Sequence, residues 1–339
     1  VTPTGNIIAN LEDSIMRIFS MVARSLPALA LALAAFGAQA QDSYPNRPIK
    51  LIVPYTPGAS TDAISRAFAD EASKVIGQPV VVENRGGAGT AIGTQTARQA
   101  AADGYTILFG SGTMISTMLA LKEPGYDVKD FTPVTMLGDQ FYVLMVPKAL
   151  PITNAAEFVA YAKKNPSKMN YGMLGQGSPS HVLADRFARA AGFQWQDIAF
   201  RGGTPTVTAL MSNDVQGYFA TQTFSTTYVN SDKIRLLAIG AEERGEFLPD
   251  VPTFKELGFN GVAEQGWYAL FVRKETPKEI VEKLRKVSAD VMASPVMKEH
   301  LKKIGLSAYK GTIDTFLKNL DDEIKQKAEE SKRLGIVPQ

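Results

Sequence analysis

The chain of 339 residues has no cysteine and only two histidines, His181 and His300. The first absence excludes disulfides, thiolate metal sites, a cysteine nucleophile and a lipid anchor on an N-terminal cysteine. The second leaves no pair of neighbouring imidazoles for a metal, and the acidic residues show no calcium-loop spacing. No metal and no cofactor is therefore expected. An excess of one charge is missing too: 36 Lys and Arg stand against 34 Asp and Glu. Nothing in that balance argues for nucleic acid or an anionic membrane surface. Beyond residue 40 no apolar run approaches the ~20 residues of a membrane span.

The first forty residues are of a different kind. Arg17 and Arg24 precede LPALALALAAFGAQAQ, a short apolar run ending in the small residues Ala38-Gln39-Ala40. A basic start, a short apolar core and small residues before the cut describe a secretory signal peptide over 1–40, cleaved near Ala40-Gln41. Residues 1–15 read as an upstream extension, with Met16 as the expected start. Cleavage would leave 41–339 soluble in the periplasm.

From residue 49 short apolar runs alternate with helical periodicity. Strands are expected at 49–55, 79–84 and 105–111, with helices at 61–77 and 90–101 between them. In the first helix Ile64, Phe68, Ala72 and Val75 or Ile76 share one face, and Gly77 ends it. A strand-rich stretch follows at 132–147. A second cycle then places helices at 154–165, 178–192 and 204–214 among strands at 169–174, 198–202, 215–220 and 234–240. A late strand at 266–273 precedes amphipathic helices at 277–293, 295–304 and 312–334. This β-α-β order argues an α/β chain with parallel sheets. Two cycles joined by a long strand, with a late returning strand, suggest two lobes. Residues 41–140 would begin the first, 141–264 would form the second, and 265–339 would return to the first.

Ligands of such sheets bind beyond the carboxyl ends of the strands. The strand-to-helix loops there share one design. PYTPGASTD (54–62) offers Ser60 or Thr61 as a helix cap, and NRGGAGTAIG (84–93) puts three glycines before a helix. GQGSPSH (175–181) offers Ser178 as N-cap with Pro179 at the first helical position, and RGGTP (201–205) repeats the device with Thr204 and Pro205. Free N–H groups and the helix dipole favour an anion there, by about 0.3–1 kcal/mol per helix end from the dipole. Several ends converging from two lobes could hold a small carboxylate without a matching Lys or Arg. Taken singly, each loop also reads as an ordinary cap.

Enzyme readings have less to stand on. Gly87-Ala88-Gly89-Thr90-Ala91-Ile92-Gly93 departs from the dinucleotide fingerprint in spacing, and Glu83-Asn84-Arg85 intervenes. A hydrolytic triad would need His181 or His300 as base, and GQGSPSH lacks the nucleophile elbow. The acidic DDE at 321–323 and the run Lys325–Arg333 read as solvated helix surface. Tyr55, Tyr142, Trp195, Tyr218 and Trp267 read as core or cleft aromatics.

VPYTPGASTD (53–62), VENRGGAGTAIG (82–93), NYGMLGQGSPSH (170–181), FRGGTPTVTALM (200–211), RLLAIGAEERGEFLPDVPTFKELG (235–258) and the segment 266–277 occur in that order. As a set they resemble the periplasmic receptors of tripartite tricarboxylate transporters, the Bug receptors, from about Tyr44 to the C-terminus. The resemblance implies a two-lobed, Venus-flytrap binding protein, each lobe a mainly parallel sheet flanked by helices, with the ligand cleft between lobes. It implies no catalysis. It implies capture of a small organic carboxylate, a di- or tricarboxylate or an aromatic acid, and delivery to membrane permease subunits by a monomer. The positions it assigns to the ligand are Tyr55, Thr56, Gly58, Ser60, Thr61 and Asp62 in the first lobe and Gly177, Ser178, Ser180 and His181 in the second. Ser111, Thr113, Arg201, Gly202 and Thr221 are further contacts. Relatives often carry an acid or amide where this chain has Ala220-Thr221-Gln222, which disfavours a ligand ammonium there and eases entry of an uncharged or aromatic end. Two alternatives stay open: a receptor signalling to a membrane kinase, and a hydrolase using His181.

Overall fold

Three sheets organise the unit that begins at Arg47. The computed structural model describes residues 44–338 except Ala59 and Arg201, so the expected leader and its cleavage site lie outside the described residues. Among those described, no helix is long and apolar enough to cross a membrane.

The chain opens with β1 (Ile49–Val53), α1 (Ser60–Ile76), β2 (Val80–Asn84), α2 (Ala91–Gln99), β3 (Thr106–Ser111) and α3 (Thr113–Ala120). In α1 the buried stripe holds Ile64, Phe68 and Ala72, while Val75 is exposed. Gly77 stops the helix at φ 77°, a conformation costly for any residue with a Cβ. The sequence pattern does not announce α3. Its β-branched Thr and Ile are weak helix formers; burial of Met114, Ile115, Ser116 and Thr117 holds it instead.

The strand-rich stretch is two strands, not one. β4 (Phe131–Gln140) stops before Phe141, and β5 (Tyr142–Pro147) enters a different sheet. There follow α4 (Ala155–Lys164), β6 (Asn170–Met173), α5 (Pro179–Ala191), β7 (Gln196–Ala199), α6 (Gly203–Met211), β8 (Tyr218–Thr221), the single turn α7 (Gln222–Ser225) and β9 (Ile234–Ile239). Ser178 caps α5, Pro179 is its first residue and Gly192 closes it at φ 70°. For α6 the cap differs from the expected Thr204: Gly202 stands there, with no side-chain cap bond. Last come β10 (Gly266–Arg273), α8 (Lys278–Ala293), α9 (Pro295–Lys303) and α10 (Ile313–Arg333).

The first sheet runs β2-β1-β3-β10-β4, with β1 parallel to β2 and β3, and β10 antiparallel to both its neighbours. In the second, β5 lies antiparallel between β8 and β9, and in the third β6 pairs parallel with β7. Gly172 donates to the Gly217 carbonyl at 2.9 Å, joining β6 to the β8 side. The five-stranded and three-stranded sheets each contain one reversed strand, and each reversed strand follows a crossing of the chain from one sheet to the other. Separate cores sit behind them. One gathers Ile52, Leu108, Phe271 and Phe316; the other gathers Phe158, Tyr171, Phe187, Phe219 and Phe254. Each such side chain contributes about 1.5–3 kcal/mol by leaving water.

The helix α10 belongs to both surroundings. Phe316 packs edge-on against Trp267 with ring centres 4.9 Å apart. Toward its other end Glu330 pairs with Arg186 of α5, and Arg333 with Asp185.

Candidate binding site

The carboxyl ends of β1, β3, β6 and β8 meet around a cavity of about 260 Å³. From the five-stranded sheet's side come Tyr55 beyond β1, Ser111 at the end of β3 and Thr113 opening α3; from beyond β6 and β8 come Ser178, Ser180 and Thr221. Six of the residues expected at the ligand therefore bring their hydroxyls to one space. The Tyr55 and Ser111 hydroxyls are 2.7 Å apart, and the Thr113 N–H donates to Ser111 Oγ at 3.3 Å. Ser178 Oγ accepts from the His181 N–H at 3.4 Å and lies 3.1 Å from Ser180 Oγ. Thr221 caps α7 by accepting from the Phe224 N–H.

Two helix N-termini open onto the cavity, at Gly112-Thr113 of α3 and Ser178 to Ser180 of α5. Both favour an anion. Aromatic residues form much of the remaining wall, among them Tyr142, Tyr218, Trp267 and Tyr268. Burial raises the pKa of Tyr55, Tyr142, Tyr218 and Tyr268, so each presents a neutral hydroxyl. Such a space offers hydrogen bonds and partial positive charge to one anionic group, and apolar walls to the rest of a small ligand.

Residues 64–336 match the sequence profile described as "Tripartite tricarboxylate transporter family receptor". The chain belongs to this receptor family. A Cupriavidus necator protein encoded in the gbd 5′ region is 35% identical over 91% of this chain and 94% of its own. Among solved structures, the periplasmic binding protein BugD is 31% identical with a TM-score of 0.76, covering 87% of this chain and all of BugD. A Rhodopseudomonas palustris protein, Rpa4515, solved with adipate, is 29% identical with a TM-score of 0.79 at the same coverage of both chains. The fold is accordingly the two-lobed one of periplasmic binding proteins, and the chain is a receptor, not an enzyme.

Other loop residues of this receptor stand away from the cavity wall. Asp62 serves its own loop: its carboxylate accepts from the Gly58 N–H, the Asn84 amide and the Arg66 guanidinium. Ser60 shares a hydrogen bond with the Tyr268 hydroxyl. Thr61 is buried in α1, while Thr56 and Gly58 are exposed. Gly177 donates its N–H to His181 Nδ1 at 3.1 Å, and a Cβ on it would come 2.8 Å from Ile336. His181 Nε2 meets Asp197 at 3.2 Å, so both ring nitrogens have partners and the ring lines a different, more open pocket. Gly202 is the α6 cap. Arg201 lies outside the described residues.

A further part of the wall comes from residues that the strand-end pattern does not indicate. Gln140, Glu264, Trp267, Glu323 and Lys327 all border the cavity. Lys327 Nζ is 2.5 Å from Glu264 and 3.8 Å from Glu323. Glu323 also accepts from the Trp267 indole N–H at 3.0 Å, and Arg186 meets Glu264 at 3.2 Å. The solvated reading of 321–323 and 325–333 therefore needs correction. Asp321 and Asp322 are exposed, but Glu323 turns inward, and Lys327 and Glu330 are buried. Burial pulls the Lys327 pKa down and the adjacent carboxylates, Glu264 first, more than restore it, leaving it above the ordinary lysine value.

Proposed function

We propose that this receptor captures a small organic carboxylate in the cleft between its lobes and delivers it to the membrane permease subunits of a tripartite tricarboxylate transporter. The observation that carries this reading is the set of hydroxyls of Tyr55, Ser111, Thr113, Ser178, Ser180 and Thr221, together with two helix N-termini opening on one cavity. Lobe 1 would comprise 41–140 and 265–339, and lobe 2 would comprise 141–264. Closure would then be hinge motion across 136–145 and 264–272. The ligand carboxylate would lie against Ser111, Thr113, Ser178 and Ser180. A dicarboxylate, a tricarboxylate or an aromatic acid each fits the expectation from the family; adipate in the R. palustris relative is one such case. The working form would be a periplasmic monomer freed of its leader.

Thermal stability of residues 41–339 against a panel of carboxylates, with matched amides as uncharged controls, tests this. Trp267 in the cavity wall provides a fluorescence signal. A true ligand at 100 times its dissociation constant should stabilise the protein by about 2.7 kcal/mol. Replacing both Ser178 and Ser180 with Ala should abolish the shift. A panel in which no acid outperforms its amide would defeat the reading.

A further inference from the structure

A carboxylate of the protein stands beside the place expected for the ligand carboxylate. A Cβ added to Gly112 would lie 3.3 Å from Glu323 Oε1, 3.9 Å from Lys327 Cε and 3.9 Å from Trp267 Nε1. These side chains of α10 and β10 therefore close over the turn between Ser111 and Thr113, at the N-terminus of α3. Glu323 is 24% exposed and borders the cavity. Its Oε2 accepts from the Trp267 indole, whereas Oε1, on the Gly112 side, is 3.8 Å from Lys327 Nζ, beyond hydrogen-bond reach.

The charges around Glu323 are already committed. Lys327 faces it from the next turn of α10, but that ammonium sits 2.5 Å from Glu264. Arg186 of α5 is divided between Glu264 and Glu330. Trp267 on β10 supplies a neutral donor, and Tyr309, before α10, a neutral hydroxyl. Glu264, Glu323 and Glu330 thus stand against Lys327 and Arg186, three carboxylates for two cations. A ligand carboxylate at Ser111 and Thr113 is a fourth anion for the same two cations. Two carboxyl groups held close in such a site share one proton, because both cannot ionise there. That proton also gives Glu323 an O–H to donate to the ligand, where a bare carboxylate has only lone pairs. Burial holds the Glu323 pKa above its ordinary value even before a ligand arrives.

We propose that the receptor binds its ligand together with one proton, which settles on Glu323 and is shared with the ligand carboxylate. The inference rests on the function proposed above, with the ligand carboxylate at Ser111 and Thr113. A neighbouring negative charge raises the Glu323 pKa further. Affinity therefore falls as pH rises from the Glu323 value of the empty receptor to that of the complex, and is level beyond it.

The test is calorimetric titration of residues 41–339 with butanoate, succinate, adipate and benzoate, from pH 5 to 8, in buffers of low and high ionisation enthalpy. For an acid that binds, the buffer dependence should show uptake approaching one proton. Affinity should fall by up to about tenfold per pH unit within the window of uptake. Glu323→Gln keeps an acceptor for the indole and a donor for the ligand, without a titrating proton. It should remove the uptake and bind more tightly than wild type at pH 8. Any proton taken up by the ligand itself or by His181 is common to both proteins, so their difference reports on Glu323. Melting curves establish that the variant is folded, and the wild-type uptake tests the proposal by itself. Binding without proton uptake at any pH, or equal uptake in the variant, would overturn the inference while leaving carboxylate capture intact. Binding by no acid, in this set or the wider panel, would overturn both.

Discussion

Replacing Lys327 with Met removes the one ammonium inside the acid cluster while keeping most of its aliphatic volume. The Lys327 side chain is 6% exposed and that of Glu264 10%, so water cannot take over the lost role. Glu264 would keep Arg186 at 3.2 Å, and Glu323 would keep only the Trp267 N–H. At an effective dielectric of about 20, a close ion pair attracts by about 4 kcal/mol. Removing one partner of a buried pair costs about 3–5 kcal/mol net, because the remaining charge is stranded. For a protein of this size that is a fall in melting temperature on the order of 10 °C. The assay is calorimetric or circular-dichroism unfolding at pH 7, comparing wild type, Lys327→Met, Glu264→Gln and the double variant. The double variant is expected to lose less than the sum of the singles, because it leaves fewer unmatched charges. A single-variant loss below about 1 kcal/mol, the range of an exposed pair, would refute the reasoning and show that solvent reaches the cluster.

Two further outcomes follow from the same wall and the loops behind it. Burial raises the Glu323 pKa, with Lys327 and the Trp267 N–H offsetting only part of the shift. A carboxyl raised by folding holds its proton more tightly in the folded state, so its ionised form lowers stability at neutral pH. Glu323→Gln should therefore raise the melting temperature at pH 7, and the gain should vanish below the ordinary glutamate value of about 4.3; melts across pH 3–8 decide it, and a gain independent of pH would contradict it. In Gly93→Ala the new Cβ would lie 2.7 Å from Pro54 Cβ and 2.8 Å from the Arg85 carbonyl. Overpacking of this kind costs about 1–3 kcal/mol and would displace the loop carrying Tyr55, so thermal melts and ligand titrations should both register a loss; an unchanged melt would show that the loops separate freely.

Elements that carry their own boundary signals were legible from sequence. The helix α5 begins at Ser178-Pro179 and ends at Gly192 because cap, fixed φ and left-handed residue agree. Strand ends followed by Ser, Thr and Gly indicated six residues that do meet around the cavity. Loops alone could not show how a side chain would turn. Asp62 lies one turn from Arg66 and four residues after Gly58, and those neighbours claim its oxygens. His181 follows Gly177 by the same interval and is claimed by its N–H. The acid wall was missed for another reason: composition made α10 look solvated. Spacing held the missing signal. Phe316, Leu320, Glu323, Lys327 and Glu330 succeed one another at four, three, four and three residues, so the charged members continue the buried stripe of the apolar ones.

The double attachment of α10 bears on how this receptor can be handled. Its first turns are fixed in the core behind the first sheet, its middle lines the cavity, and its last turn grips α5. The C-terminus is therefore not a neutral place for an affinity tag, a surface tether or a fluorescent partner. Trimming the chain before Glu330 would free Arg186 from one carboxylate and alter the wall a ligand meets. Conversely, a reporter joined just after this helix would be mechanically coupled to the cleft, which makes that end the natural one from which to build a sensor.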